Sequence, residues 1–123
     1  MILDPNMKWA LLLSGIIELV GGIITYMKPT LLFVDQAGTH QFYGIALLVL
    51  GLINLLCFKF YEETGPTRSI YMAMMFFHAV VAILSYRTGG LNYQTGAIAT
   101  HLGLFIIFFW FYMQNLKPAL KDS

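Results

Sequence analysis

The sequence predicts an all-α protein: an integral membrane four-helix bundle whose N and C termini lie on the same, cytoplasmic, side. Three observations lead there. Hydrophobic residues make up 59% of the chain and charged residues only 11%, a balance for which lipid rather than water is the matching solvent. Four apolar stretches each approach the roughly 20 residues that a helix needs to cross a hydrocarbon core of roughly 30 Å. Between them fall the prolines, glycines and charges that end helices. All 123 residues then belong to a single membrane domain.

The first helix is expected at about residues 8–27. Lys8 followed by an apolar run resembles the start of a secretory signal, but Glu18 interrupts that run and no small-x-small cleavage pattern follows it. Lys28-Pro29 closes this helix, and the short apolar stretch at residues 30–34 is expected to dip into the membrane interface. The second helix, at about 41–60, is separated from the third, at about 69–86, by Glu62-Glu63-Thr64-Gly65-Pro66. Thr88-Gly89-Gly90 and Asn92 precede the fourth, at about 95–113, which Lys117-Pro118 ends.

With four crossings, the termini share a side with the loop near residue 65. That side collects Lys8, Lys59, Arg68, Lys117 and Lys121, and the other has Lys28 and Arg87. The positive-inside tendency therefore puts both termini in the cytoplasm. Tyr26, Tyr43, Tyr61, Tyr71, Tyr86, Tyr93 and Tyr112 fall near helix ends, where an interfacial aromatic belt would place them. The net charge is +1 with its cations scattered, which excludes a basic stripe for nucleic acid. A lone cysteine, Cys57, excludes an intrachain disulfide and reads as a small buried hydrophobe.

Helical periodicity gives each segment an inward face. On the first helix Ser14, Gly15, Glu18, Gly21, Gly22 and Thr25 share an arc, and the glycines beside Glu18 allow close approach of a neighbour. The second aligns Gly44, Leu47, Gly51, Asn54 and Phe58. The third aligns Tyr71, Met74, His78, Ala82 and Ser85, and the fourth aligns Gln94, Ala97, His101, Phe105, Phe108 and Tyr112.

Counting helical rise puts Glu18 and His78 near mid-membrane, with Asn54 slightly to the cytoplasmic side and His101 slightly to the outer side. The sequence thus permits one buried polar cluster of Glu18, Asn54, His78 and His101, with Ser14, Ser85 and the tyrosines around it. An ionisable residue inside a membrane marks a functional site by default. The same groups, held neutral and hydrogen-bonded, also serve to bind four helices together.

As a catalytic set, Glu18, His78 and His101 offer a neutral acid beside neutral imidazoles, since an apolar setting disfavours charge on either. A proton exchanged between Glu18 and His78 suits chemistry on a lipophilic molecule entering from the bilayer, including isomerisation, epoxide opening or quinone protonation. As a cofactor-binding set, Asn54, His78 and His101 suit a quinone or lipid. Haem between His78 and His101 stands behind these, for want of a paired repeat or attachment motif. Glu18 with two histidines has ligand types suited to zinc or iron but no metal-binding spacing, so no metal is assigned. His40 reads as interfacial. The aromatic run at residues 105–112 covers every face of its helix and must partly face lipid or another protein, and Ala99 with Gly103 forms a small-xxx-small pair opposite His101.

Ser14-Gly15-Ile16-Ile17-Glu18, Lys28-Pro29, Tyr43-Gly44 leading to Leu50-Gly51-Leu52, His78 and His101 together resemble the small four-helix DoxX-like membrane proteins. The resemblance covers nearly the whole chain. Some members of that group are quinone-linked oxidoreductase subunits, so the resemblance implies a four-helix bundle more firmly than an activity. It assigns no catalytic residue.

Two functional classes follow. In the first, an accessory or structural subunit packs against a larger membrane complex or its own copies, with lipid around it. In the second, a membrane enzyme or binding protein acts on a lipophilic small molecule or quinone through the Glu/His cluster. A haem-binding or proton-conducting bundle ranks behind both. The economy of the loops points to a bacterial inner membrane.

Overall fold

In the computed structural model, the backbone is described for residues 5–28, 37–61 and 66–121. A single 3-10 turn, Pro5–Met7, leads into α1, Lys8–Met27. Two further helices follow, α2 at Ala37–Lys59 and α3 at Pro66–Lys121. Among the described residues four apolar spans are long enough to cross a membrane: α1 itself, Phe42–Lys59 of α2, and two arms of α3, Pro66–Arg87 and Gly96–Gln114.

The helical assignment of α3 is continuous, yet the two arms lie side by side. His78 and His101 approach to 3.0 Å, whereas a straight helix would hold residues that far apart in sequence about 35 Å from each other. Tyr71 reaches the backbone carbonyl of Phe108 at 2.7 Å in the same antiparallel register. The reversal falls between Arg87 and Gly96, where the sequence placed its Gly-Gly break. The side chains of Thr88, Gly89, Gly90 and Asn92 lie outside the described ones, as do those of Gln94 and His40, and residues 30–34 lie outside the described backbone.

Other boundaries differ from the sequence expectation in one direction. Helix α2 begins at Ala37 rather than near residue 41, and α3 begins at Pro66 rather than 69 and runs past Lys117-Pro118 to Lys121. A proline suits the first helical turn, whose N–H groups lack intrahelical partners, so Pro66 opens α3 naturally. Pro118 removes one hydrogen bond without ending the helix.

Glycine sets the distance between α1 and α2. Gly15 faces Gly51, and two turns away Gly22 faces Gly44. A Cβ at Gly51 would stand 2.9 Å from the carbonyl oxygen of Gly15, and one at Gly44 would stand 2.8 Å from the Tyr26 nitrogen and 3.0 Å from the Gly22 carbonyl oxygen. The backbones therefore touch, a packing only glycine permits. Outward faces carry the apolar bulk, with Ile16, Val20 and Ile23 on α1 and Phe76 and Ile83 on α3 exposed.

The end of the bundle that holds the start of α1 and the end of the second α3 arm, called here the terminal end, is packed solid. Met7, Ala10, Leu11, Tyr71, Met74 and Phe108 form its core. Tyr43, expected in the interfacial belt, is instead half-buried against His101, and Tyr71, which falls both in that belt and on the inward face of the third span, is fully buried.

Candidate functional site

Each helical span contributes at least one polar side chain to a single buried network. Helix α1 supplies Ser14 and Glu18, one turn apart on the arc that also carries Gly15 and Gly22. Helix α2 supplies Asn54 and, eleven residues earlier on the same face, Tyr43. The first arm of α3 supplies His78 and the second supplies His101. Ser14, Glu18, Asn54, His78 and His101 are all buried, and only Tyr43 keeps partial exposure.

The contacts form a chain. Tyr43 Oη lies 3.3 Å from His101 Nε2. His101 Nδ1 lies 3.0 Å from His78 Nδ1. His78 Nε2 lies 2.9 Å from Ser14 Oγ and 3.6 Å from Glu18 Oε1. Asn54 Nδ2 donates to Ser14 Oγ at 3.1 Å and to Glu18 Oε2 at 2.7 Å. The Asn54 amide thus brings Ser14 Oγ and the Glu18 carboxyl together, one helical turn apart on α1.

The Nδ1 to Nδ1 contact constrains the protons. A neutral imidazole has one donor and one acceptor nitrogen, so one histidine donates from Nδ1 and the other accepts there. The two therefore hold opposite tautomers. If Tyr43 donates to His101 Nε2, then His101 donates to His78 and His78 Nε2–H points to Ser14 and Glu18. If Ser14 donates to His78 Nε2, every bond reverses and His101 Nε2–H points to Tyr43. Both polarities satisfy all four groups.

Aromatic rings hold the imidazoles in place. Phe77 stands edge-on to both, with centroids at 5.3 Å from His78 and 5.7 Å from His101, and Phe108 lies 5.5 Å from His78 on its terminal side. The histidine rings are 5.2 Å apart between centroids and bonded to each other. As they lie, the two rings bond directly to each other and do not flank a porphyrin-sized gap. Among the described residues no group of three His, Cys, Asp or Glu side chains is arranged to hold a metal ion.

Three buried polar atoms have no hydrogen-bond partner among the described residues: Glu18 Oε1, Asn54 Oδ1 and Thr25 Oγ1. Each such atom costs about 1 to 3 kcal/mol when nothing meets it. The two oxygens of Glu18 and Asn54 belong to side chains that are themselves bonded at 2.7 Å, so two of the three unmet acceptors sit on one bonded pair joining α1 and α2.

The residues singled out in the sequence, Glu18, Asn54, His78 and His101, are thus all in one place, joined through Ser14. Ser85 is buried farther along the first arm of α3. Cys57 is only half-buried and outside the network. Tyr43 was grouped with the other tyrosines, although its spacing from Asn54 of three helical turns already puts both on one face. No family model, curated protein or solved structure matches this chain.

Proposed function

We propose that the chain is a small integral membrane protein, with cytoplasmic termini, that binds a lipophilic molecule of the quinol or lipid-alcohol class at Glu18 and Asn54 and exchanges a proton with it. The pair of unmet acceptors, Glu18 Oε1 and Asn54 Oδ1, carries this reading. A ligand hydroxyl supplies the donor they lack. Helix-binding glue accounts for the bonds that are made but gives no reason for leaving two acceptors open on the same bonded pair.

The pair also suits both protonation states of such a ligand. With Glu18 ionised, Asn54 Nδ2 donates to it and the ligand hydroxyl is drawn to the remaining oxygens. After the proton moves to Glu18, a half-turn of the Asn54 amide exchanges donor for acceptor and matches the neutral acid. The apolar outer faces give a bilayer-dissolved molecule a direct approach, in keeping with the four spans. A bacterial inner membrane and the DoxX-like resemblance belong to this proposal.

The test is purification in nanodiscs followed by native mass spectrometry. A small lipophilic molecule bound to the wild-type chain and absent from Glu18→Gln, with helical content unchanged, is the expected result. Retention of the molecule in Glu18→Gln would overturn the assignment. Stoichiometric recovery of larger subunits with no small molecule would instead favour the accessory role, for which the exposed apolar faces are equally suited.

A further inference from the structure

We infer that Tyr43 is the proton-entry residue of the buried network, feeding Glu18 through His101, His78 and Ser14 from the end of the bundle opposite the termini. The inference deepens the proposed function and rests on Glu18 being the group that exchanges a proton.

Three observations carry it. First, position along the bundle: counted from the centres of the apolar spans, Tyr43 lies about 11 Å toward the far end, His101 about 6 Å and His78 about 2 Å, while Ser14 and Asn54 lie about 5 Å toward the terminal end. The bonded chain therefore descends in order from Tyr43 through His101 and His78 to Ser14, and the Glu18 carboxyl, one turn from Ser14, stands near the middle of its span. Second, exposure: Tyr43 alone in the network is not buried. Third, the terminal end is closed. Its fully buried large side chains Met7, Leu11 and Tyr71 lie between the network and that end, and Phe108 packs beside the network against His78. Tyr71, the hydroxyl nearest to extending the chain that way, donates its proton to the Phe108 carbonyl instead.

The transfer balances atom by atom. Tyr43 passes its hydroxyl proton to His101 Nε2 and takes one from water. His101 passes the Nδ1 proton to His78 Nδ1. His78 passes the Nε2 proton to Ser14 Oγ, and Ser14 passes its own hydroxyl proton to the Glu18 carboxylate. Water loses one proton, Glu18 gains one, and both histidines finish neutral in the opposite tautomer. The return transfer restores the starting tautomers, so the same chain carries protons in either direction.

The experiment is solvent exchange of the imidazole N–H protons, measured by NMR on the full chain in nanodiscs with nitrogen-15 histidine. Tyr43→Phe keeps the ring and removes the hydroxyl, and is expected to slow exchange at His78 and His101 by roughly a hundredfold or more, the scale on which a positioned proton-transfer group acts. Tyr71→Phe, at the closed end, is expected to leave it unchanged. A merely structural Tyr43 would loosen the site when cut back, so equal or faster exchange in Tyr43→Phe overturns the inference, as does slowing by Tyr71→Phe. Because no ligand is needed, this result is separate from the fate of ligand binding in Glu18→Gln.

Discussion

Placing a methyl group at Gly44 tests how the polar network is held. A Cβ there meets only backbone, at 2.8 Å from the Tyr26 nitrogen, 3.0 Å from the Gly22 carbonyl oxygen and 3.1 Å from the Tyr26 Cα. Ordinary contact begins near 3.4 Å, so α1 and α2 must part by about 0.6 Å, an overpacking of the kind that costs about 1 to 3 kcal/mol. Alanine also improves helix propensity by up to about 1 kcal/mol, which would mask part of this loss. Gly103→Ala supplies the reference, since a Cβ at Gly103 meets nothing within 4 Å and gains the same propensity term.

Gly44→Ala is therefore expected to unfold about 1 to 3 kcal/mol more easily than Gly103→Ala in a denaturing-detergent titration followed by circular dichroism. The same parting lengthens the Asn54 to Glu18 bond from 2.7 Å to about 3.3 Å, beyond the range of strong charge-assisted bonds, and should shift the Asn54 side-chain amide resonances. Equal stability of the two variants would refute the touching-backbone account of the α1 and α2 seam.

Tyr71→Phe should cost about 0.5 to 1.5 kcal/mol through loss of the bond to the Phe108 carbonyl, read in the same titration, with the histidine resonances left in place. Asn54→Ala should cost more, about 1.5 to 3 kcal/mol where Glu18 is ionised, because the carboxylate loses its 2.7 Å donor. The double variant Glu18→Leu with Asn54→Leu should recover much of that loss, since replacing both partners by apolar groups removes the desolvation cost together with the bond. It should also abolish ligand binding by native mass spectrometry, separating stability from function.

Much of this site was legible because the inward faces obey helical periodicity. Gly15, Glu18, Gly22, Gly51, Asn54, Tyr71, Met74, His78, Ala82 and Ser85 were all placed inward by their spacing, and all are buried. The fourth span was harder. Its apolar residues occupy every face, so spacing favoured Phe105 where Leu104 is the more deeply buried.

Tyr43 lies near a helix end, where tyrosines usually serve an interfacial belt, and its inward turn depends on a His101 nitrogen on another span, a partner that no local pattern announces. Spacing turns Tyr71 inward, but not toward the Phe108 carbonyl that receives its proton. Pairing between spans is likewise set by long-range packing. Periodicity gave the histidines one interior, but the Nδ1 to Nδ1 bond required the register of the two α3 arms.

The most direct test of the network is a scalar coupling across that bond. The chain has three histidines, His40, His78 and His101, so nitrogen-15 histidine labelling gives a spectrum simple enough to assign with single variants. A nitrogen-to-nitrogen coupling between His78 Nδ1 and His101 Nδ1, opposite tautomers on the two rings, and a change in both on Glu18→Gln are the results expected of a continuous chain from Tyr43 to Glu18. Two Nε2–H tautomers with no coupling, unaffected by Glu18→Gln, would contradict it.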